Sequence, residues 1–160
     1  MTSEGIGAGV QESVYVGFQT DSRTAAIAVG QLVELDSSGN ITLCSAALTV
    51  KFIGVAATTV AATTAASQKY ISVQVAGVAR VYCLKDNAGT YTTSIVPGER
   101  LMVGEDNAAS YTGQCLVHAS AAVATPLDFN TDGRKPVAIA LEAVGTGAAT
   151  PVIKKVLLTL

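Results

Sequence analysis

The clearest structural signal in the chain is the stretch Ile71-Ser72-Val73-Gln74-Val75. Apolar and polar side chains alternate along it, and a period of two residues is that of a β-strand with one buried face. The apolar segment 78–84 follows closely, and residues 14–19 alternate in the same way near the start of the chain. Strands are therefore predicted in all three places.

Turn residues recur at the spacing expected of an all-β domain. The segment Asp36-Ser37-Ser38-Gly39-Asn40 separates two short apolar segments, and Asp86-Asn87-Ala88-Gly89 follows residues 78–84. Gly and Asn tolerate left-handed backbone conformations, and Asp and Ser side chains bond to their own backbone, so both segments are typical of hairpin turns. The apolar residues 152–160 are predicted to form a closing strand.

The composition agrees with a thin β structure. Of the 160 residues 49% are hydrophobic and only 5% are aromatic, so Val, Ile, Leu and Ala must build the core. A chain of this length buries enough surface to fold without disulfides. We therefore expect an all-β fold, either a small β-barrel or a sandwich, with residues 14–160 as a single domain. Residues 1–13, with Gly5, Gly7 and Gly9, are expected to be an extended N-terminal arm, because glycine disfavours helix formation.

Two alanine-rich segments leave the secondary structure open. On helix propensity alone, residues 56–67 and 115–125 could each form a short helix. Threonines in the first segment and Pro126 after the second disfavour that outcome. We assign both segments to loop or strand, with a short helix as the alternative.

The chain also contains a weak internal sequence repeat, or echo, made of two pairs of similar segments. Val29-Gly30-Gln31-Leu32-Val33 is answered by Pro97-Gly98-Glu99-Arg100-Leu101, and Phe52-Ile53-Gly54-Val55-Ala56 is answered by Pro136-Val137-Ala138-Ile139-Ala140. An acidic turn follows both segments of the first pair, at Asp36 and at Glu105-Asp106, and residues 115–135 lengthen the second copy. Two explanations stay open: the segments belong to two similar halves of a barrel, or they recur by chance because the chain uses few residue types.

Residues able to carry chemistry are few. The chain has one histidine, His118, no tryptophan, and 14% charged residues. A phosphate-binding loop needs a Gly-Lys pair, which does not occur in the sequence. A zinc site needs Cys and His at short spacing, whereas Cys44, Cys83 and Cys115 are scattered and are interpreted as small buried thiols. We expect no catalytic residue, no metal site and no cofactor, and therefore no enzyme.

One segment matches part of a metal-binding motif. Asp128-Phe129-Asn130-Thr131-Asp132-Gly133 reproduces the first half of a calcium-binding loop. The bidentate Glu that such a loop requires is replaced by Ile139, and Pro126 and Pro136 disfavour flanking helices. We interpret the segment as a polar surface loop, and cation binding there is left open.

Charge and hydropathy exclude two classes of partner. The formal net charge is −2, and the two basic pairs, Arg134-Lys135 and Lys154-Lys155, are too few for a nucleic-acid surface. The first ten residues carry no positive charge ahead of an apolar run, unlike a secretory signal. No stretch approaches the roughly 20 strongly apolar residues of a membrane helix. We expect a soluble protein without nucleic-acid or membrane partners.

A series of apolar and glycine-containing motifs carries a resemblance to a known group. In chain order they are Gly30-Gln31-Leu32-Val33, Ile53-Gly54-Val55-Ala56, Val73-Gln74-Val75-Ala76-Gly77-Val78-Ala79, Pro97-Gly98-Glu99-Arg100-Leu101, Val137-Ala138-Ile139-Ala140-Leu141-Glu142-Ala143, and a terminal strand. Over residues 27–160 the chain resembles the small capsid decoration, or head-cementing, proteins of tailed viruses (bacteriophages), a group sometimes labelled as predicted recombinases. The missing phosphate loop gives that label no support. The chain departs from the group in its longer arm and in residues 115–135.

The resemblance implies a β-barrel or β-tulip domain on the outer surface of an assembled virion head, commonly as a homotrimer. It implies the major capsid protein and further copies of the chain as partners, with assembly in the host cytoplasm. We expect the arm and first strand to lie across a partner as an added strand. The expected contact residues are Ile6, Val10, Val14, Tyr15 and Phe18. A virion surface module that binds a receptor or glycan is the alternative.

Overall fold

The computed structural model describes residues 12–20, 25–44, 51–62, 69–83, 94–103, 116–118, 136–145 and 152–159. These residues form nine strands and no helix. The strands are β1 (Val14–Gln19), β2 (Leu32–Leu35), β3 (Ile41–Leu43), β4 (Phe52–Ala56), β5 (Tyr70–Cys83), β6 (Arg100–Val103), β7 (Leu116–His118), β8 (Ala138–Ala140) and β9 (Val152–Leu158). The predicted all-β fold is confirmed, as is the closing strand.

No helix long and apolar enough to cross a membrane occurs in the described segments.

The central element is β5. It joins into one strand the segments 71–75 and 78–84, which the sequence predicted as two separate strands. It runs for 14 residues through Gly77, whose φ is +87°. A Cβ at this glycine would lie 2.8 Å from the Cα of Ser13, so a larger residue would meet both steric and conformational strain. Before Gly77, β5 pairs with β1 and β4, and from Gly77 onward it pairs with β9. The glycine therefore lies where the strand changes partners.

The hairpin predicted at residues 36–40 is confirmed. It joins the antiparallel strands β2 and β3, and Gly39 has a φ of +81°. The Asp36 carboxylate accepts hydrogen bonds from the backbone N–H groups of Ser38 at 2.7 Å and Asn40 at 2.8 Å. These bonds, that of Asn40 above all, lower the pKa of Asp36. The second predicted turn, residues 86–89, lies outside the described residues.

The strands curl into two halves that share β5. In the first half the order is β3-β2-β4-β5-β1, and Thr20, just after β1, returns to pair in parallel with Ile41 of β3. In the second half the order is β7-β6-β8-β9-β5, and Cys83 of β5 pairs in parallel with Leu116 of β7. Each half is thus a five-stranded curled sheet whose end strands meet at one residue pair, as in a small barrel.

The two halves have the same register. In the first half Leu32 lies opposite Val55, and in the second Arg100 lies opposite Ile139. The N–H of Gly30 bonds to the carbonyl of Ala56 at 2.9 Å, and the N–H of the corresponding glycine, residue 98, bonds to the carbonyl of residue 140 at 2.8 Å. The structure therefore aligns the two sequence echoes residue for residue and favours two barrel halves over chance repetition.

The same correspondence extends to the outer strands. Phe18 pairs with Ile71 across β1 and β5, and Val81 pairs with Lys154 across β5 and β9. The part of β5 after Gly77 is thus the second-half counterpart of β1, and β9 is the counterpart of the earlier part of β5.

Two apolar clusters form the core. One lies inside the first half and contains Ile27, Val33, Ile41, Ala56, Val60, Ile71 and Val73. The other fills the second half and also includes residues from the outer face of the first half, namely Leu32, Cys44, Phe52 and Val55. The halves therefore pack on one another through a continuous apolar contact.

The remaining sequence predictions are only partly covered by the described residues. Residues 57–62 form a loop, as predicted, and Val60 bridges to Ile27. Of residues 115–125, three form strand β7 and the others lie outside the described part. Residues 1–11 and the segment 128–133 also lie outside it. A separate arm and a single domain over residues 14–160 stay predictions.

Candidate functional site

Strand β1 is exposed on both of its faces. Val14, Tyr15 and Val16 keep 47%, 55% and 40% of their surface accessible, and Gly17 is exposed as well. A strand in a folded domain normally buries every second residue against the core. Exposed apolar surface on an edge strand is typical of a surface that contacts a partner.

The attachment of β1 is one-sided. Along one edge it pairs with β5 in the antiparallel direction. None of the other described strands is ladder-paired with its second edge, which meets β3 only through the Thr20–Ile41 bridge. Phe18, near the end of β1, packs against the core of the first half. The end of the strand therefore packs against the core, while its beginning offers apolar side chains and an edge that no other described strand pairs with.

The counterpart of β1 in the second half is covered. Val16 lies opposite Val73. Ala79 lies opposite Val156, which takes the place of Val73 in the second half. Val16 therefore corresponds to Ala79, and in the same register Phe18 corresponds to Val81. Ala79 and Val81 are fully buried in the cluster that also holds Leu32 and Val55. The same position in the repeat is thus buried in one half and exposed in the other.

A small pocket lies on the outer face of the second half. Its volume is about 200 Å³, and it is lined by Arg100, Pro136, Ala138, Ile139 and Thr159. The lining is mainly apolar and carries a single charged side chain. The apolar part of the lining suits a small aliphatic group.

One group of ionisable residues lies around β9. Glu142 accepts a hydrogen bond from the backbone N–H of Lys155 at 3.1 Å, and its other oxygen lies 3.9 Å from the Lys155 ammonium. Both side chains are nearly half exposed, so the ion pair contributes little to stability. Burial raises the pKa of the Cys83 thiol to about 12, while nearby Lys154 opposes the shift. A thiol protonated at neutral pH is not a nucleophile.

The described residues contain no group of three His, Cys, Asp or Glu side chains close enough to hold a metal ion. Burial also raises the pKa of Cys44, with the charge of Glu34 as a second cause.

The structure describes three of the five predicted contact residues, and they differ in exposure. Val14 and Tyr15 are exposed on β1, whereas Phe18 is half-buried against the core. Ile6 and Val10 lie outside the described residues. The sequence reasoning missed Val16, which alternation assigned to the buried face, and it missed the pocket beside Ile139. The internal sequence repeat could have indicated the pocket, because it aligns Ile139 with Val55, which is buried in the first half.

Comparison with profiles of known protein families gives no match, and comparison with curated proteins gives none. The resemblance to head-cementing proteins therefore depends on the motifs quoted above, and the candidate site depends on the geometry of β1 and of the second-half pocket.

Proposed function

We propose that the protein is a capsid decoration protein that binds the outer surface of an assembled tailed-virus head, as a trimer, and stabilises it. The observation that carries the proposal is the exposure of apolar β1 on both faces, directly after the predicted N-terminal arm. An arm continuous with an open strand can add to a sheet edge of a partner, with main-chain hydrogen bonds giving affinity and alternate side chains filling pockets.

Stabilisation follows from preferential binding. A protein that binds the completed lattice but not free subunits shifts the equilibrium toward the lattice by mass action. Linking several weak contacts through an oligomer raises the overall avidity by a factor of about 10² to 10⁴ without new contacts. The trimer expected from the resemblance would supply this linkage.

The chemistry of the described residues supports an adhesive role over a catalytic one. The two described thiols, Cys44 and Cys83, are buried and protonated, and the Lys155–Glu142 pair is solvated. The pocket beside Ile139 offers one charged side chain. Such a set lacks a nucleophile held by a general base, the arrangement that covalent catalysis needs.

The test uses heads of the encoding virus that lack this protein. Purified protein is added, the heads are sedimented, and bound protein and the temperature of head disruption are measured. We expect saturable binding and a higher disruption temperature. Failure of the full-length protein to sediment with heads would contradict the proposal.

A second set of variants locates the contact. Deletion of residues 1–11 leaves Ser13, which bonds to Gln74, in place and should reduce retention on heads. Tyr15→Asp should do the same, whereas Val78→Asp, at the corresponding position of β5, serves as the matched control. Equal retention of the wild type, the deletion and Tyr15→Asp would exclude the arm and β1 as the contact.

One observation favours the alternative, a glycan-binding surface module. Tyr15 and Tyr70 are exposed on the same face of the β1–β5 ladder, because Gln19 shares the face of Tyr15 and lies opposite Tyr70. Exposed aromatic rings are suited to stacking on sugars. A glycan array with the wild type and with Tyr70→Ala tests this reading, and binding that Tyr70→Ala abolishes would favour it over decoration.

A further inference from the structure

The contact between the two halves within one chain has a defined geometry. The turn that contains Gly30 lies against β5 after the Gly77 corner. The backbone N–H of Tyr82 approaches the carbonyl oxygen of Gly30 at 3.4 Å, and a Cβ at Gly30 would lie 3.3 Å from the carbonyl oxygen of Arg80. Beneath this turn Leu32 shares a buried cluster with Ala79. The outer face of the first half is therefore covered by the first strand of the second half.

The equivalent face of the second half is not covered by any described residue. Gly98, the counterpart of Gly30, has a φ of +94°, and a Cβ added there would meet nothing within 4 Å. Arg100 and Ile139, the counterparts of Leu32 and Val55, line the open pocket instead. Among the described residues, the repeat thus ends with a copy of its internal docking face that no other residue covers.

The matching element is the exposed beginning of β1. Within the chain this face receives the strand that contains Ala79, and the first-half counterpart of that residue is Val16 of β1. Val16 is 40% exposed, whereas Ala79 is 2% exposed. In the part of the chain that the structure describes, one face at one end of the repeat and one strand at the other are therefore exposed.

We propose that a second copy of this chain docks β1 onto the open face of the second half, as the later part of β5 docks onto the first half. Val16 of one copy enters the pocket beside Ile139 of the next. The Gly98 turn then lies against β1 near Gln19, the counterpart of Tyr82. This contact deepens the self-association included in the proposed function and rests on it for its biological role, although its geometry rests on the internal repeat alone.

The side chains on both surfaces suit such a contact. The pocket is lined by Pro136, Ala138 and Ile139, which match an aliphatic side chain such as Val16. Arg100 stands where the first half has Leu32, and its methylene stem can cover apolar surface while the guanidinium remains in water. In an isolated chain the Arg100 stem thus covers part of the apolar face, and the same face can still accept an apolar strand.

The contact joins two different surfaces and is therefore head-to-tail. Heterologous contacts of this kind generate closed rings when the rotation closes and filaments when it does not. A ring leaves no copy with an open second-half face or an exposed Val16, and the Tyr15 face of β1 stays available for the proposed capsid contact, so a defined mass in solution is expected.

The first experiment measures the mass of the protein in solution by light scattering after size-exclusion chromatography. The wild type should form a defined oligomer. Val16→Glu and Arg100→Glu should each weaken the association by about a hundredfold or more, because a carboxylate would be buried unpaired or the stem that covers the pocket would be lost. Val78→Glu, at a residue with 42% exposure on the outer face of β5, should leave it unchanged. Circular dichroism checks that each variant is folded.

A mixing experiment separates this geometry from a symmetric one. Val16→Glu has an intact pocket and Arg100→Glu has an intact β1, so an equimolar mixture should form heterodimers and stop there. A symmetric contact between two β1 strands would leave Arg100→Glu fully associated and would give no heterodimer. Either that result or a monomeric wild type would overturn the proposal.

Sedimentation with heads distinguishes the two proposals. If the wild type forms the head-to-tail oligomer but ignores heads, capsid decoration fails while the contact stands. If monomeric wild type still binds heads, the contact fails while decoration stands.

Discussion

Gln31 and Glu99 hold the same position in the two halves and make the same hydrogen bond. The Gln31 Oε1 atom accepts a bond from the backbone N–H of Ala28 at 2.7 Å, and the Glu99 Oε2 atom accepts one from the N–H of Val96 at 2.8 Å. Each side chain closes a turn over its own backbone, and a glycine with positive φ precedes it. The repeat is thus preserved in side-chain contacts as well as in strand pairing.

The two turn glycines should differ in their tolerance of alanine. Both Gly30→Ala and Gly98→Ala place a Cβ at positive φ, which costs roughly 1–2 kcal/mol. Only at Gly30 would that Cβ also meet the Arg80 carbonyl oxygen, at 3.3 Å. We expect Gly30→Ala to lose more stability in urea unfolding than Gly98→Ala. The comparison is made in the Val16→Glu background so that association does not contribute, and equal losses would argue against the contact between the halves.

Gly54 should be the least replaceable glycine in the first half. A Cβ there would lie close to the Gln74 carbonyl oxygen and 2.7 Å from Cγ1 of Val73, so backbone would have to move. Overpacking of this kind costs about 1–3 kcal/mol, and we expect Gly54→Ala to reach at least the upper part of that range. Gly145→Ala, where a Cβ meets nothing within 4 Å, is the control and should be nearly neutral. Thermal unfolding of both variants checks the difference.

Alternation at residues 71–75 predicted the strand and the buried side of Ile71 and Val73 correctly, because a period of two depends only on the local chain, but Gln74, which it placed on the exposed face, is buried. It did not predict that β5 continues to Cys83, because Gly77 interrupts the pattern and its tolerance depends on contact with Ser13, which is remote in sequence. The echo located the repeated turn at Gly30 and Gly98 for the same local reason, since both need positive φ.

Exposure at the candidate site could not be predicted in the same way. Val16 and Phe18 share a face of β1, but only Phe18 packs against the core. Alternation predicts which face of a strand a side chain occupies, but it does not predict how far the rest of the fold extends over that face. The pocket beside Ile139 likewise depends on which half packs against the other, a relation set by the whole fold.

Gln74 should be essential for anchoring the start of β1. It is buried, and its amide nitrogen lies within hydrogen-bond distance of the Ser13 hydroxyl at 3.0 Å and of the carbonyls of Ala76 at 3.2 Å and Val78 at 2.8 Å. Gln74→Leu removes this donor from all three acceptors, of which the Val78 carbonyl keeps a second donor, the Ser13 hydroxyl at 3.5 Å, so the cost should be about 1–3 kcal/mol. Ser13→Ala removes one partner only and should cost less. Amide exchange should quicken at residues 14–16 in Gln74→Leu, and unchanged exchange would contradict the anchoring role.

The buried thiols should resist alkylation in the folded protein. Burial raises the pKa of Cys44 and Cys83, so the reactive thiolate is scarce at pH 8 and the sulfur atoms are covered. Iodoacetamide should therefore label both residues slowly in buffer and rapidly in denaturant, as read by peptide mass spectrometry. Labelling at the rate of a free thiol without denaturant would show that either residue is exposed.

Stability should fall at alkaline pH, in part through Cys83. Its pKa is about 12 in the folded chain, whereas a thiol in an unfolded chain titrates near pH 8.5. Above that pH the unfolded state releases the proton and the folded state keeps it, so the free energy of unfolding decreases as pH rises toward 12. The slope from one such thiol is about 1.4 kcal/mol per pH unit. Urea unfolding of the wild type between pH 8 and 11 should show the decline, and Cys83→Ala should show a shallower one despite its lower stability at neutral pH. The substitution removes no other ionisable group, so identical slopes would mean that the Cys83 thiol is not held protonated by burial.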